Sequence, residues 1–157
     1  MIFVTVGSQK FPMNRLLSKI DDLLEAGTLN EEVIAQTGYC TYSPRYYRSE
    51  SFLDKEKMDE LVDACSLLIC HAGSGSMMQG IKRGKKVITV PRKVEFGEHV
   101  DDHQLELAHA FCQAGYLLMT EDLSKLEEQI RLSAAFVPQP YHSSTDTYIN
   151  LLTSIIK

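Results

Sequence analysis

Short apolar segments alternate with helix-like patterns along this chain. Residues 1–6 form an apolar run rich in β-branched side chains that ends at Gly7, as expected for a strand buried on both faces. After Pro12, leucine and isoleucine recur at helical spacing until Gly27 interrupts the pattern. The beginning of the chain therefore predicts one strand followed by one helix.

The same alternation continues to the end of the chain. Further strands are predicted at residues 32–37, more weakly at 46–53, and at 67–70, 86–90 and 116–119. Further helices are predicted at residues 54–65, 77–82, 101–114, 122–134 and 145–156. Repeated β-α alternation with apolar strands predicts an α/β fold, a single Rossmann-like domain whose mainly parallel sheet carries helices on both faces.

The length of the chain allows one domain with a full core. Its 157 residues are 44% hydrophobic and 24% charged, an ordinary globular composition. We expect residues 1–135 to form the domain and residues 136–157, set apart by Pro138 and Pro140, to form a linker and a C-terminal helix. The apolar stripe of that helix comprises Tyr148, Leu151, Leu152 and Ile155. This stripe either packs on the domain itself or docks on a partner protein.

Charge and hydropathy argue against a nucleic-acid-binding protein and against a membrane-spanning protein. Sixteen basic and 21 acidic residues give a net charge of −5, which argues against nonspecific binding of nucleic acid. No apolar run approaches the roughly 20 residues of a membrane-spanning helix, so we expect a cytoplasmic protein. The four cysteines show no CxxC spacing, which favours reduced thiols over a zinc site.

Loops that follow parallel strands are the first places to search for a ligand site. In the loop at residues 71–76, Gly73 and Gly75 let the backbone approach a ligand, and Ser74 and Ser76 add hydroxyl groups at a helix N-terminus. Such a terminus attracts phosphate. The alternatives are a tight turn with serine caps and a hydrogen-bonded His71 at a strand end. The GxGxxG, Gly-Lys-Ser/Thr and GxSxG signatures are absent.

A second group of polar residues lies between residues 95 and 104. His99 and His103 are four residues apart and have carboxylates nearby, which leaves a metal site as one interpretation. A helix start capped by Asp101 and Asp102 is the simpler interpretation, and we expect no metal and no cofactor. Gln104 either hydrogen-bonds sugar hydroxyls or lies on the surface.

Four segments together resemble one family. They are FVTVGSQ at residues 3–9, HAGSGS at 71–76, Gly84-Lys85 with Pro91, and FGEHVDDHQLELA at 96–108. This set resembles the small, donor-binding subunit of split family-28 glycosyltransferases, over residues 1–119. That family includes the eukaryotic dolichol-linked GlcNAc transferase subunit and bacterial polysaccharide-synthesis subunits. It is similar to the C-terminal half of the lipid II GlcNAc transferase of peptidoglycan synthesis. The resemblance implies that the chain is half of a GT-B glycosyltransferase.

The resemblance implies roles for individual residues. The donor diphosphate site would comprise Gly7, Ser8, His71, Gly73, Ser74, Gly75 and Ser76. The ribose and sugar site would comprise Gln79, His103 and Gln104. Gln79 occupies the place where the family usually has a glutamate that holds the ribose hydroxyls. A neutral amide accepts a hydrogen bond less strongly than a carboxylate, so this departure implies weaker donor binding.

The resemblance also implies a function shared with a second protein. The family uses a UDP-sugar for inverting transfer to a lipid-linked saccharide, and the bacterial exopolysaccharide or capsule branch favours galactose, with glucuronic acid or GlcNAc as other donors. No residue here is a convincing catalytic base, which we expect in a membrane-associated, acceptor-binding glycosyltransferase subunit. That partner would recruit this chain to the inner face of the membrane. The alternatives are a noncatalytic enhancer or scaffold and a metal-dependent hydrolase using His99 and His103.

Overall fold

One six-stranded sheet forms the centre of the molecule. The computed structural model describes residues 1–98 and 102–141, without the side chains of Asp102 and His103. The strands are β1 Ile2–Thr5, β2 Val33–Gln36, β3 Arg48–Glu50, β4 Leu67–His71, β5 Lys86–Val90 and β6 Leu118–Met119. They are all parallel, in the order β3-β2-β1-β4-β5-β6. From β1 the chain adds β2 and β3 on one side and then β4, β5 and β6 on the other, so the direction of strand addition reverses between β1 and β4. This arrangement confirms the predicted Rossmann-like class.

Five α-helices connect or follow the strands. They are α1 Asn14–Glu25, α2 Lys55–Ala64, α3 Ser74–Lys82, α4 Asp102–Gln113 and α5 Leu126–Ser133. Short 3-10 turns at Val94–Phe96 and Leu123–Lys125 precede the last two. The α2 helix begins after Asp54, whose carboxylate accepts a hydrogen bond from the backbone N–H of Lys57 at 2.8 Å. This is the capping role expected of an aspartate at that position.

The sheet separates two hydrophobic cores. On one face, α1 and α5 pack on Val4, Ile69 and Ile88. On the other, α2, α3 and α4 pack on the alternate strand positions, which include Phe3 and Leu68. Because the central strands are buried on both faces, they form the continuous apolar runs that identify them in the sequence.

The connection from β2 to β3 contains no helix. Residues 37–47 cross back over the sheet as an irregular segment. Asp21 of α1, only 2% exposed, anchors this segment through hydrogen bonds from the Tyr42 hydroxyl at 2.6 Å and from the backbone N–H groups of Arg45 at 2.8 Å and Tyr46 at 3.0 Å. One buried carboxylate therefore satisfies polar groups that a helix would have paired internally.

The C-terminal part of the described chain packs on the domain. Gln139 donates its backbone N–H to the Gly115 carbonyl at 2.9 Å, and the Tyr141 ring meets Tyr116 edge-on with centroids 5.7 Å apart. The predicted helix at residues 145–156 lies outside the described residues, so the division into a domain and a docking segment stays a prediction. Within residues 1–98 and 102–141, no helix has the length and hydrophobicity to cross a membrane.

Candidate functional site

A cleft of about 360 Å³ opens where the strands end. It is bordered by the loops after β1 and β3, the end of β2, and the helices α2 and α3. Its lining residues are Gly7, Ser8, Gln36, Phe52, Leu53, Met58, Gly75, Ser76 and Gln79. The carboxyl edge of a parallel sheet is the usual ligand site in this fold class.

The N-terminus of α3 faces this cleft without a capping side chain. Its N-cap is Gly73, and the first helical hydrogen bond runs from the Met77 N–H to the Gly73 carbonyl at 3.0 Å. The hydroxyl of Ser76 contacts His71 rather than the helix backbone. A Cβ atom added at Gly75 would meet nothing within 4 Å. The first-turn N–H groups are therefore available to an anion, and the helix dipole favours negative charge there.

His71 lies beneath the cleft, between two glycine backbones. An added Cβ atom would come within 2.3 Å of the ring at both Gly7 and Gly73, so only glycine fits at those positions. The ring is 5% exposed, and its Nε2 lies 3.2 Å from the Ser76 hydroxyl. Burial, followed by the positive charge of Arg92, lowers the pKa of His71 to about 4. His71 is therefore neutral at physiological pH and brings no positive charge to the cleft.

Arg92 holds the Gly7 turn from below. Its side chain is 3% exposed and donates hydrogen bonds to the carbonyls of Val6 and Phe11, both at 2.6 Å. These carbonyls lie on either side of the turn, whose Gly7 has a φ of 76°. That conformation favours glycine, so the turn is shaped both by its own backbone and by the guanidinium group.

A buried ion pair fixes the loop that follows β5. Glu98 is 3% exposed and accepts a hydrogen bond from Arg15 Nε at 2.8 Å and one from the Lys93 N–H at 3.0 Å. Arg15 also donates to the Pro91 carbonyl at 2.8 Å. Glu98 precedes His99, one of the two histidines of the possible metal site, and its hydrogen bond with Arg15 joins this loop to α1.

The predicted diphosphate residues fall into two groups. Gly7, Ser8, Gly75 and Ser76 line the cleft, and so does Gln79 of the predicted ribose site. His71, Gly73 and Ser74 belong to the same strand-to-helix loop but lie outside the lining set. The ligand roles of both groups stay predictions.

The remaining predicted residues lie near α4. Gln104 is half-buried in the first turn of α4 and is not among the lining residues. The His103 side chain and His99 lie outside the described residues. Among the side chains that the structure describes, which do not include those of residues 99–103, no cluster of three His, Cys, Asp or Glu residues is placed to hold a metal ion. The proposed pair of histidines therefore stays an untested alternative.

Four cleft residues were missed by the sequence analysis. Gln36 ends β2, whereas Phe52, Leu53 and Met58 come from the approach to α2 and from that helix. Gln36 could have been predicted, because it is a polar residue at the carboxyl end of a strand next to β1 in a parallel sheet. The other three depend on how α2 packs and carry no pattern that separates them from core residues.

Sequence comparisons identify related proteins. The sequence model of the family described as glycosyltransferase family 28 C-terminal domain matches residues 1–157. The Homo sapiens protein named UDP-N-acetylglucosamine transferase subunit ALG13 is 32% identical over an alignment of 123 residues that covers 74% of this chain and 10% of that protein. The Cryptococcus neoformans protein of the same name is 36% identical over 73 residues, 45% of this chain and 34% of that protein. This chain thus spans about a tenth of the human relative's length.

Structural comparisons agree on the fold. An NMR solution structure of ALG13 superposes with a TM-score of 0.65 and 17% identity, covering 99% of this chain and 96% of that one. Acinetobacter baumannii MurG gives a TM-score of 0.61 with 16% identity, covering 96% of this chain and 49% of MurG. At these identities the likeness shows a shared fold: the sheet and helices described here correspond to about half of MurG.

Proposed function

Because this chain belongs to the glycosyltransferase family 28 C-terminal domain family, we propose that it binds a UDP-sugar as the donor subunit of a glycosyltransferase. The observation that carries the proposal is the uncapped N-terminus of α3, which faces the cleft at Gly75 opposite the Gly7 turn. Backbone N–H groups in that arrangement suit the diphosphate of a nucleotide sugar.

The two ends of the cleft differ in polarity, as a nucleotide requires. Gly75 and Ser76 lie at one side with the positive end of the helix dipole. Phe52 and Leu53 follow β3, which lies on the other side of β1 from the strand that leads into α3. Together with Met58, they line the cleft with apolar side chains that suit a base and ribose. Gln79 lines the same cleft and is our candidate for the ribose hydroxyls. We keep His103 and Gln104 as candidates for the sugar.

N-acetylglucosamine is the first donor to test. The human and Cryptococcus relatives are named UDP-N-acetylglucosamine transferase subunits. The family resemblance favours galactose, with glucuronic acid as a further donor, so all three UDP-sugars belong in one binding panel. The roles in exopolysaccharide or capsule synthesis and in transfer to a lipid-linked saccharide stay predictions.

We place the acceptor site on a second protein. The relatives are named as subunits, and this chain's fold accounts for 49% of MurG. An inverting transfer needs a base near the acceptor hydroxyl, and His71 is buried away from the cleft surface. We therefore assign the base and the acceptor to a membrane-associated partner that recruits this chain. Full transferase activity of the isolated chain would contradict that assignment.

The Gly75→Val substitution tests the donor site. The added side chain would occupy the space in front of the α3 N-terminus without meeting protein atoms near its Cβ, so we expect a folded protein that no longer binds UDP. Ala135→Val is the matched control. It lies just beyond α5, whose end contacts Lys86 at the start of β5, at the opposite edge of the sheet.

Binding is measured by isothermal titration calorimetry and folding by thermal unfolding. Unchanged UDP affinity in folded Gly75→Val protein would remove the α3 N-terminus from the site. A wild-type chain that binds no UDP or UDP-sugar would contradict the whole proposal and favour the noncatalytic enhancer.

A further inference from the structure

Gln36 lies at the bottom of the cleft, at the last position of β2. It is paired with Thr5 of β1 in the parallel register, and the two residues are 6% and 1% exposed. A buried primary amide needs defined partners for its carbonyl oxygen and its two N–H groups, because unpaired polar groups are costly to bury.

Two hydrogen bonds determine which way this amide faces. The Gly7 backbone N–H donates to Thr5 Oγ1 at 3.2 Å, and the Thr5 hydroxyl donates to Gln36 Oε1 at 2.8 Å. The Thr5 oxygen accepts the proton of Gly7, and the Thr5 hydroxyl donates its own proton to the oxygen of Gln36. This assignment gives the Thr5 hydroxyl both a donor and an acceptor. The carbonyl of Gln36 is thus turned to Thr5, and its amide N–H groups are the donors that Gln36 can offer to the cleft it lines.

The position of Gln36 relates it to the base rather than to the diphosphate. In the sheet order, β2 and β3 lie on one side of β1, and β4, which leads into α3, lies on the other. A diphosphate at the α3 N-terminus therefore directs the nucleoside towards the ends of β2 and β3. Phe52, Leu53 and Gln36 line that part of the cleft, where the first two offer apolar surface for the face of a base and Gln36 offers a polar group for its edge.

We infer that Gln36 donates a hydrogen bond to the C4 carbonyl oxygen of a uracil base and that Thr5 is the positioning residue that orients it. This inference rests on the proposed function and deepens it to base selection. Uracil carries a carbonyl acceptor at C4, where cytosine carries an amino donor. A fixed N–H donor therefore favours UDP over CDP, although both share the same ribose and diphosphate.

The Gln36→Glu variant removes the donor with little change of shape. One carboxylate oxygen still accepts the Thr5 hydroxyl, while the other replaces the NH₂ group. We expect the ratio of UDP to CDP affinity to fall about tenfold or more, the usual effect of replacing a good hydrogen bond with an unpaired buried group. Gln79→Glu is the matched control, because it adds the same charge to the same cleft. Its effect on the ribose side is common to both nucleotides, so the ratio should stay at the wild-type value.

Thr5 variants provide a second, independent measurement. Thr5→Val removes the hydroxyl that orients the Gln36 amide, so the ratio of UDP to CDP affinity should fall. Thr5→Ser keeps the hydroxyl, so this ratio should stay at the wild-type value. These variants also test the inference if Gln36→Glu does not fold. All ratios are measured by calorimetry at one salt concentration.

The outcomes separate this inference from the function on which it rests. An unchanged UDP-to-CDP ratio in folded Gln36→Glu or in Thr5→Val, or equal weakening of both nucleotides, overturns the role of Gln36 while leaving UDP binding intact. A wild-type protein that binds neither nucleotide overturns the proposed function itself.

Discussion

The buried histidine under the cleft should make the stability of this protein fall in mild acid. Burial lowers the pKa of His71 to about 4, whereas an exposed histidine in the unfolded chain titrates near 6.5. Between these two values the unfolded chain binds a proton that the folded chain does not. Stability from this group is therefore complete above pH 6.5 and is lost as the pH falls towards 4, at up to about 1.4 kcal/mol per pH unit.

The His71→Phe variant isolates this contribution. Phenylalanine keeps a planar ring between the backbones of Gly7 and Gly73 but cannot be protonated. It also loses the contact with Ser76, a cost that does not depend on pH between 4.5 and 7.5. From the two pKa values, wild-type protein should lose about 2.5 kcal/mol more unfolding free energy than the variant between pH 7.5 and pH 4.5.

Urea unfolding followed by circular dichroism at the two pH values measures the difference. Other titrating groups are common to both proteins and cancel in the comparison. His71→Gln serves as a second variant in case the larger ring distorts the glycine turns. Equal pH dependence in wild-type protein and both variants would show that burial does not lower the pKa of His71, and the argument that His71 is neutral beneath the cleft would fail.

Two further substitutions test other parts of the structure. Gln79→Glu should tighten UDP binding by roughly 1 kcal/mol, about fivefold, because a carboxylate accepts a hydrogen bond from a ribose hydroxyl more strongly than an amide does. Unchanged or weaker UDP affinity in a calorimetric titration would remove Gln79 from the ribose site. Asp21→Ala should lower the unfolding free energy by about 2–4 kcal/mol, since three donors of the β2–β3 segment lose a buried charged acceptor. A loss below about 0.5 kcal/mol in urea unfolding would show that water replaces those bonds without cost.

The elements that the sequence predicts well are those whose burial leaves a pattern. Strand β5 has the predicted bounds, Lys86–Val90, because its apolar run is closed by Pro91. Strand β3 is three residues long, Arg48–Glu50, and all three residues are exposed, so its pairing with β2 leaves no hydrophobic pattern to detect. The prediction at residues 46–53 was correspondingly weak and too long.

The site divides in the same way. Gly7 could be identified because the tight turn after β1, where its φ is 76°, requires that residue type. The ion pair between Glu98 and Arg15 joins positions 83 residues apart, and no local sequence pattern predicts it. Arg92 is similar, because its bonds to Val6 and Phe11 depend on the packing of β5 beside the loop after β1. Such long-range contacts become visible only in three dimensions.

The contact of the His71 ring with two glycine backbones limits how sequences related to this one can vary. At Gly73 the backbone is not in the left-handed region, and the obstacle to a larger residue is the ring itself. A relative with a smaller side chain at the position of His71 could therefore accept alanine at the position of Gly73. At Gly7 the φ of 76° would still demand glycine. Positions 71 and 73 should consequently change together among homologues, while position 7 stays constant.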